Sequence, residues 1–175
     1  MQPPEIAQNL KTHRTKLGWS LSQAAAETNV SKAMLGQIER GESSPTIATL
    51  WKIAKGFKLP LTAFLHDQPN ANDLMQFRDG IRFKTIFSFD AKLGSEMFLQ
   101  FLQPQQIHQS DAHEQGVIED IVILHGQIEI LHGGQWQMLK TGDSLRFAAD
   151  QPHGYRNLTN LEATFHNIMH YPSKC

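Results

Sequence analysis

Residues Leu17 to Gly41, LGWSLSQAAAETNVSKAMLGQIERG, constrain the fold more than any other stretch, because they encode two short helices joined by a tight turn. Ser20 followed by Gln23 is a capping box, in which the serine oxygen satisfies a free backbone N–H of the first turn. The helix it opens runs through Ala24 to Ala26 and ends near Asn29, a residue that tolerates the left-handed conformation of a helix stop. Ser31 caps a second helix, which Gly41 terminates. Helical spacing turns Leu35 and Ile38 inward and leaves Lys32, Ala33, Gln37 and Arg40 on the remaining surface, polar and cationic enough to meet base edges and phosphates.

From Ile6 to Leu65 the chain resembles the Xre/Cro/CI family of helix-turn-helix domains, with Ile38-Glu39-Arg40-Gly41 and Ser44-Pro45 at the family's usual places. The resemblance implies that Glu39 pairs with Arg14 of the first helix to hold the scaffold. It also implies a DNA-reading set of Ser31, Lys32, Ala33 and the more distal Gln37, with Arg40 near a phosphate. Gln37 carries the primary amide that a bidentate contact to adenine requires.

Charge follows the same division. Residues 1–66 hold 8 Lys+Arg against 4 Asp+Glu, net +4, whereas residues 67–175 hold 8 against 13, net −5. The basic half is therefore the expected nucleic-acid half, and a whole-chain charge of −1 argues against non-specific coating of DNA by the entire molecule. The N-terminus lacks a basic segment followed by an apolar run, and no stretch of about 18 apolar residues is present to span a bilayer. A cytoplasmic protein with no membrane partner is expected. The single cysteine, Cys175, is the final residue, forms no intramolecular bridge and is expected to be an inert thiol.

At 175 residues the chain accommodates two small domains, giving an α + β two-domain architecture. Residues 1–66 read as a five-helix bundle: one helix before Gly18, the two described above, a fourth from Thr46 to about Phe57, and a short fifth after Pro60. Ile47, Leu50, Trp51 and Ala54 fall at helical spacing, so Trp51 reads as core rather than as a platform for stacked bases. His66 to Arg78 is rich in Asp, Asn, Gln and Pro, which places a linker at 67–79. From 80 to 175 the pattern changes to short apolar runs, Ile81 to Phe89, Glu96 to Gln103, Asp120 to Leu124, Gln127 to Leu131 and Ser144 to Phe147, the signature of a small β-barrel. His125-Gly126-Gln127 and His132-Gly133-Gly134 read as hairpin turns, and Lys140 to Asp143 as a further turn.

From about Glu96 to Pro172 this half resembles a cupin, a double-stranded β-helix barrel. His113, Glu119 and Gly126 fall at the places of the first cupin segment, with Gln115 where a second histidine is usual and Ile107 in place of the leading glycine. Gly142, His153 and Asn157 match the second segment, in which Ala148 and Asp150 replace a proline and a glycine. The resemblance implies a 2-His-1-carboxylate set of His113, Glu119 and His153 that leaves coordination positions open, with Gln115 as a weak fourth ligand. Zn²⁺ is favoured only slightly over Fe²⁺ by such donors. The other reading is that these histidines merely hydrogen-bond within a polar barrel. Phe147, Tyr155 and Phe165 are candidate walls of an effector pocket, His166 and His170 share one face of the last strand, and His125 and His132 read as surface residues beside turns.

The order of the two halves is similar to that of a group of bacterial one-component regulators. SKAMLGQIER, ESSP, GVIE, RFAAD, YRN and HYP look more narrowly like the sulfur-utilisation regulators of enteric bacteria. This implies a homodimer on operator DNA whose cupin domain senses a small metabolite, with methionine or cysteine fitting a chelating effector. Two readings stay open beside it. One is a non-haem iron oxygenase or epoxidase, because the fosfomycin epoxidase family shares the architecture. The other is a cupin that serves only to dimerise. No G-x-S-x-G elbow, phosphate-binding glycine loop or H-E-x-x-H is present to support hydrolase or nucleotide chemistry.

Overall fold

The computed structural model describes residues 4–65, 74–77 and 80–172. Cys175, His66 and most of the expected linker lie outside the described residues. The chain divides into two compact units, the first formed mainly by residues up to Gln68 and the second by residues from Ile81 onward. Met75 and Gln76 belong to the second unit, Phe77 and Gly80 to the first.

The first unit contains α1 (Pro4–Lys16), α2 (Leu21–Thr28), α3 (Lys32–Glu39) and α4 (Ile47–Phe57). Ser20, Ser31 and Thr46 each cap the following helix by accepting the backbone N–H three residues on, at 3.1 Å in every case. Asn29 ends α2 in the left-handed conformation, φ 53°. The fifth helix expected after Pro60 is instead a single 3₁₀ turn, Leu61–Phe64. Its bonds run from Ala63 N–H to the Pro60 carbonyl and from Leu65 N–H to the Thr62 carbonyl, both 3.1 Å, and the apolar run is too short to go further. Packing holds the turn in place: Leu61, Phe64 and Leu65 are buried, and the Phe64 ring lies 5.6 Å from Phe57 and 5.2 Å from His13. Ile47, Leu50 and Ala54 are core as expected, whereas Trp51 is only half-buried.

The second unit comprises β1 (Met75–Gln76), β2 (Arg82–Asp90), β3 (Ser95–Leu102), β4 (Ile107–Ser110), β5 (Ile118–His125), β6 (Gln127–His132), β7 (Gln135–Lys140), β8 (Ser144–Ala148), β9 (His153–Arg156) and β10 (Ala163–His170). They form a six-stranded sheet, β1-β2-β3-β10-β5-β8, and a four-stranded sheet, β4-β9-β6-β7. The strand pairs are antiparallel. Gly133 and Gly134, both at positive φ, form the two-residue hairpin between β6 and β7. His125-Gly126-Gln127 is not a hairpin, because β5 and β6 belong to different sheets. Gly126 instead makes the corner, at φ 81°, where a Cβ would stand 3.0 Å from that of Ala163.

Alternation along the strands defines the interior. Ala163, Phe165, Asn167 and Met169 of β10 are buried, as are Glu119, Ile121 and Ile123 of β5, facing a core that includes Ile128, Ile130, Leu139 and Tyr155. His166 and His170 lie on the opposite, half-buried face of β10, where His170 Nε2 is 3.0 Å from Asp120 Oδ2. Among the described residues no helix is long and apolar enough to cross a membrane.

The tightest packing in the first unit is between α2 and α4. A Cβ added to Gly56 would stand 2.6 Å from Thr28 Cα and 2.7 Å from the Glu27 carbonyl oxygen, both backbone atoms with no rotamer to yield. Alanine in a helix interior is favoured over glycine by about 1 kcal/mol, but overpacking of this kind costs roughly 1–3 kcal/mol or more. Gly56→Ala is therefore expected to lower the melting temperature of the helical unit, and an unchanged or raised thermal midpoint would refute this account of the contact.

Candidate functional site

Two sites emerge, one in each unit. On α3, Leu35, Gly36 and Ile38 are buried while Ser31, Lys32, Ala33, Gln37 and Arg40 are all exposed, so the residues proposed to meet DNA share the outer surface. The helix is anchored from behind. Arg14 Nε and Nη2 donate to the two oxygens of Glu39 at 2.6 and 2.8 Å, and Arg14 Nη1 donates to the Trp19 carbonyl at 2.8 Å. That forked pair ties α1, the α1–α2 connection and α3 together. Sequence reasoning missed one contact: Arg40 makes a two-point pair with Glu42, at 2.7 Å for both bonds. Both partners are exposed, so the pair is weak.

In the barrel, His113 precedes β5, Glu119 lies on β5 and His153 opens β9. Their ligand atoms all lie within 4.8 Å of one another, and all three residues are buried. Glu119 Oε1 is 3.2 Å from His113 Nε2 and 3.3 Å from His153 Nε2. His153 Nδ1 lies 2.9 Å from the Gln151 carbonyl oxygen, which can only accept, so Nδ1 carries the hydrogen. Its Nε2 is buried without a hydrogen-bond partner. An unmatched ring nitrogen beside a carboxylate, with the tautomer set by a backbone carbonyl, is the donor arrangement that a divalent ion completes.

Electrostatics point the same way. Burial by itself raises the Glu119 carboxyl, but the hydrogen bond with His113 and the closeness of the His153 imidazole outweigh it and hold the group well below the carboxylate range. Burial lowers His153, yet Glu119 and the Gln151 carbonyl more than restore it, so its pKa ends above the ordinary 6.5. Tyr155 is pushed well above 10.0 by burial and by the charge of Glu119, and stays a neutral donor.

Gln115 differs from His113, Glu119 and His153 in being exposed. Two residues beyond His113 the chain has entered a turn, closed by Val117 N–H to the Glu114 carbonyl at 3.1 Å, and the Gln115 side chain is exposed. Phe147 packs 5.6 Å from the His153 ring, and Phe165 5.5 Å from Tyr155, but the Tyr155 hydroxyl is committed to Glu119 Oε2. Asn167, which donates to the same oxygen at 3.0 Å, was not singled out by sequence reasoning. Its inward parity with Phe165 on the last strand was the available signal. His108, stacked parallel to Tyr155 at 6.2 Å, was missed because β4 is only four residues long. His132, expected at the surface, is half-buried, 5.8 Å from Phe147 and 2.8 Å from Gln137 Oε1. Asn157 serves the loop after β9, donating to the carbonyls of Leu102 and Leu161 at 3.1 and 2.7 Å.

Comparison with known proteins agrees with this division. Residues 10–64 match the helix-turn-helix family and residues 98–169 the cupin domain family. The chain is 43% identical over 171 residues, 95% of either sequence, to the HTH-type transcriptional regulator SutR of Escherichia coli strain K12. It superposes on the crystal structure of a helix-turn-helix family transcriptional regulator from Vibrio cholerae with a TM-score of 0.83 and 43% identity, over 96% of each chain. The cupin domain of an XRE family regulator from Enterobacter cloacae gives a TM-score of 0.51 at 37% identity, covering 53% of this chain and 97% of that one. Both relatives that match the chain end to end at 43% identity are transcriptional regulators, and the chain belongs to the family of DNA-binding transcriptional regulators that join an Xre-type helix-turn-helix domain to a cupin domain.

Proposed function

We propose that this regulator binds operator DNA as a cytoplasmic homodimer through the exposed face of α3, and that its cupin domain holds one divalent ion on His113, Glu119 and His153, beside which a small metabolite binds. The observation that carries the sensing half is the buried Nε2 of His153, which has no hydrogen-bond partner and lies 3.3 Å from a carboxylate oxygen. Zinc is slightly preferred over iron for two imidazole nitrogens and one carboxylate. When bound, the ion supplies Lewis-acid positions for polar groups of the metabolite. A sulfur-containing amino acid, methionine or cysteine, fits those positions by chelation, and the sequence resemblance to sulfur-utilisation regulators supports that class. Phe147 offers an apolar wall beside His153. Effector binding changes DNA affinity to the extent that it favours one arrangement of the paired reading domains over another.

Two reading helices of a dimer enter successive major grooves, so the operator is expected to be a pseudo-palindrome with half-sites about one helical turn, 10–10.5 bp, apart. Gln37→Ala is expected to cost roughly 1–3 kcal/mol at one base position and little elsewhere, and Lys32→Ala to weaken operator binding as well. Selection of binding sites from a random pool checks both, and an unaltered preference with Gln37→Ala would remove that residue from base reading.

Metal analysis of purified protein is expected to find one divalent ion per chain, lost in His153→Ala while the N-terminal helices stay folded. Calorimetry is expected to show methionine or cysteine binding only to the metal-loaded protein; absence of heat at millimolar ligand would exclude that class. Binding of an ion displaces the proton on His153, whose pKa is raised, so metal affinity should climb as pH rises from 6 toward that raised value, by about tenfold per unit. The metal-free protein should behave oppositely. A raised folded pKa contributes stability that is complete below 6.5 and is lost as pH rises through the raised value. Metal affinity that does not vary with pH would show that His153 is not a ligand.

A further inference from the structure

The two oxygens of Glu119 have different surroundings. Oε1 faces the two histidines, at 3.2 and 3.3 Å. Oε2 accepts the Tyr155 hydroxyl and, at 3.0 Å, Asn167 Nδ2. Tyr155 lies on β9, Asn167 on β10 and Glu119 on β5, so donors from both sheets meet on one oxygen. Each of these residues is at most 4% exposed, so bulk solvent has little access to the carboxylate.

The amide orientation of Asn167 follows from chemistry. A carboxylate only accepts, so the group facing Oε2 is the NH₂, which also lies 3.3 Å from the Tyr155 hydroxyl oxygen. This leaves Asn167 Oδ1 buried without a hydrogen-bond partner, an arrangement that costs stability. Its fixed NH₂ is spent on Oε2.

A carboxylate free to turn can offer both oxygens to an ion and so occupy an additional coordination position. Here turning would strip two buried donors from Oε2. We propose that Tyr155 and Asn167 are positioning residues that confine Glu119 to single-oxygen ligation through Oε1, and thereby keep a position open for a small organic acid or amino acid that binds through two donor atoms. The proposal rests on the metal reading above and assigns the class of effector that the site admits.

Full-length protein loaded with Co²⁺, whose visible absorption reports coordination number, tests it. Oxalate is the two-point probe and acetate the one-point control. Wild type is expected to take up one Co²⁺ per chain and to change its spectrum on binding oxalate. Tyr155→Phe is expected to keep one Co²⁺ per chain, to show a shifted spectrum before any ligand is added, and to bind oxalate about tenfold more weakly, the scale typical of altered partners behind a metal ligand. Acetate affinity should change little. Asn167→Ala should move the same readouts in the same direction and serves if Tyr155→Phe does not fold. Unchanged spectrum and oxalate affinity in the variants, with wild type fully loaded, would overturn the positioning role alone. Loss of Co²⁺ from the folded variants would also overturn it, showing that the pair merely holds the carboxylate in place. Wild type that takes up no Co²⁺ would overturn the metal reading, and this proposal with it.

Discussion

An ionised carboxylate inside an apolar barrel is tolerated only where charge and hydrogen bonds replace the water it has lost, a penalty of several kcal/mol per ion if left uncompensated. Glu119 is in that position, and the end of the barrel is organised around it. Compensation comes from two imidazoles on one oxygen and two neutral donors on the other, drawn from the loop before β5, from β9 and from β10. Because β9 and β10 belong to different sheets, the same contacts that stabilise the charge also fix how the two sheets meet there. On the proposed reading a divalent ion held by His113, Glu119 and His153 takes the place of a proton on His153.

The helical unit solves a similar problem with a permanent pair. Arg14 and Glu39 are both largely buried, and their two-point bond supplies both charges from the chain itself. The pair lies behind α3, so the helix is held without using any residue of its outer face. Lys32 and Gln37 are left free of scaffold duty, and Arg40 is held only by an exposed partner. The same protein therefore contains one ion pair supplied wholly by arginine and glutamate, and one buried carboxylate flanked by two imidazoles.

The helical half was the more legible in sequence, because its signals are local. Ser20, Ser31, Asn29 and Gly41 act within one turn of themselves, and each boundary they mark falls within a residue or two of the structure. The fifth helix was misjudged because composition after Pro60 does not distinguish a packed 3₁₀ turn from a short α-helix. In the barrel the long strands were readable, but β4 and β9, of four residues each, carry too little pattern to register. Gly126 looked like a hairpin residue because a corner between sheets uses the same positive φ as a tight turn. Cupin spacing brought His113, Glu119 and His153 forward, yet it also carried Gln115, whose place in the motif says nothing about which way an exposed turn directs its side chain. The donors on Glu119 Oε2 were hidden for a different reason: Tyr155 and Asn167 act through a contact made only when β5, β9 and β10 assemble.

A ligand in the barrel alters DNA affinity only by binding one state of the chain better than another; tightness alone shifts nothing. The proposed metal-binding cluster itself is a poor source of that difference. Its members are tied by the Gln151 carbonyl, by Tyr155 and by Asn167, and the His113 N–H donates to the Ala149 carbonyl at 3.0 Å, so they keep one geometry. Differential binding has to arise where the chain is less fully determined. β1 is such an element, two residues at the edge of the six-stranded sheet, paired only as Met75 with Phe83 and Gln76 with Arg82. Short edge pairings open at low free energy. On the proposed reading the buried cluster of His113, Glu119 and His153 fixes what is recognised, and any change in DNA affinity must come from a part of the chain that has two accessible arrangements.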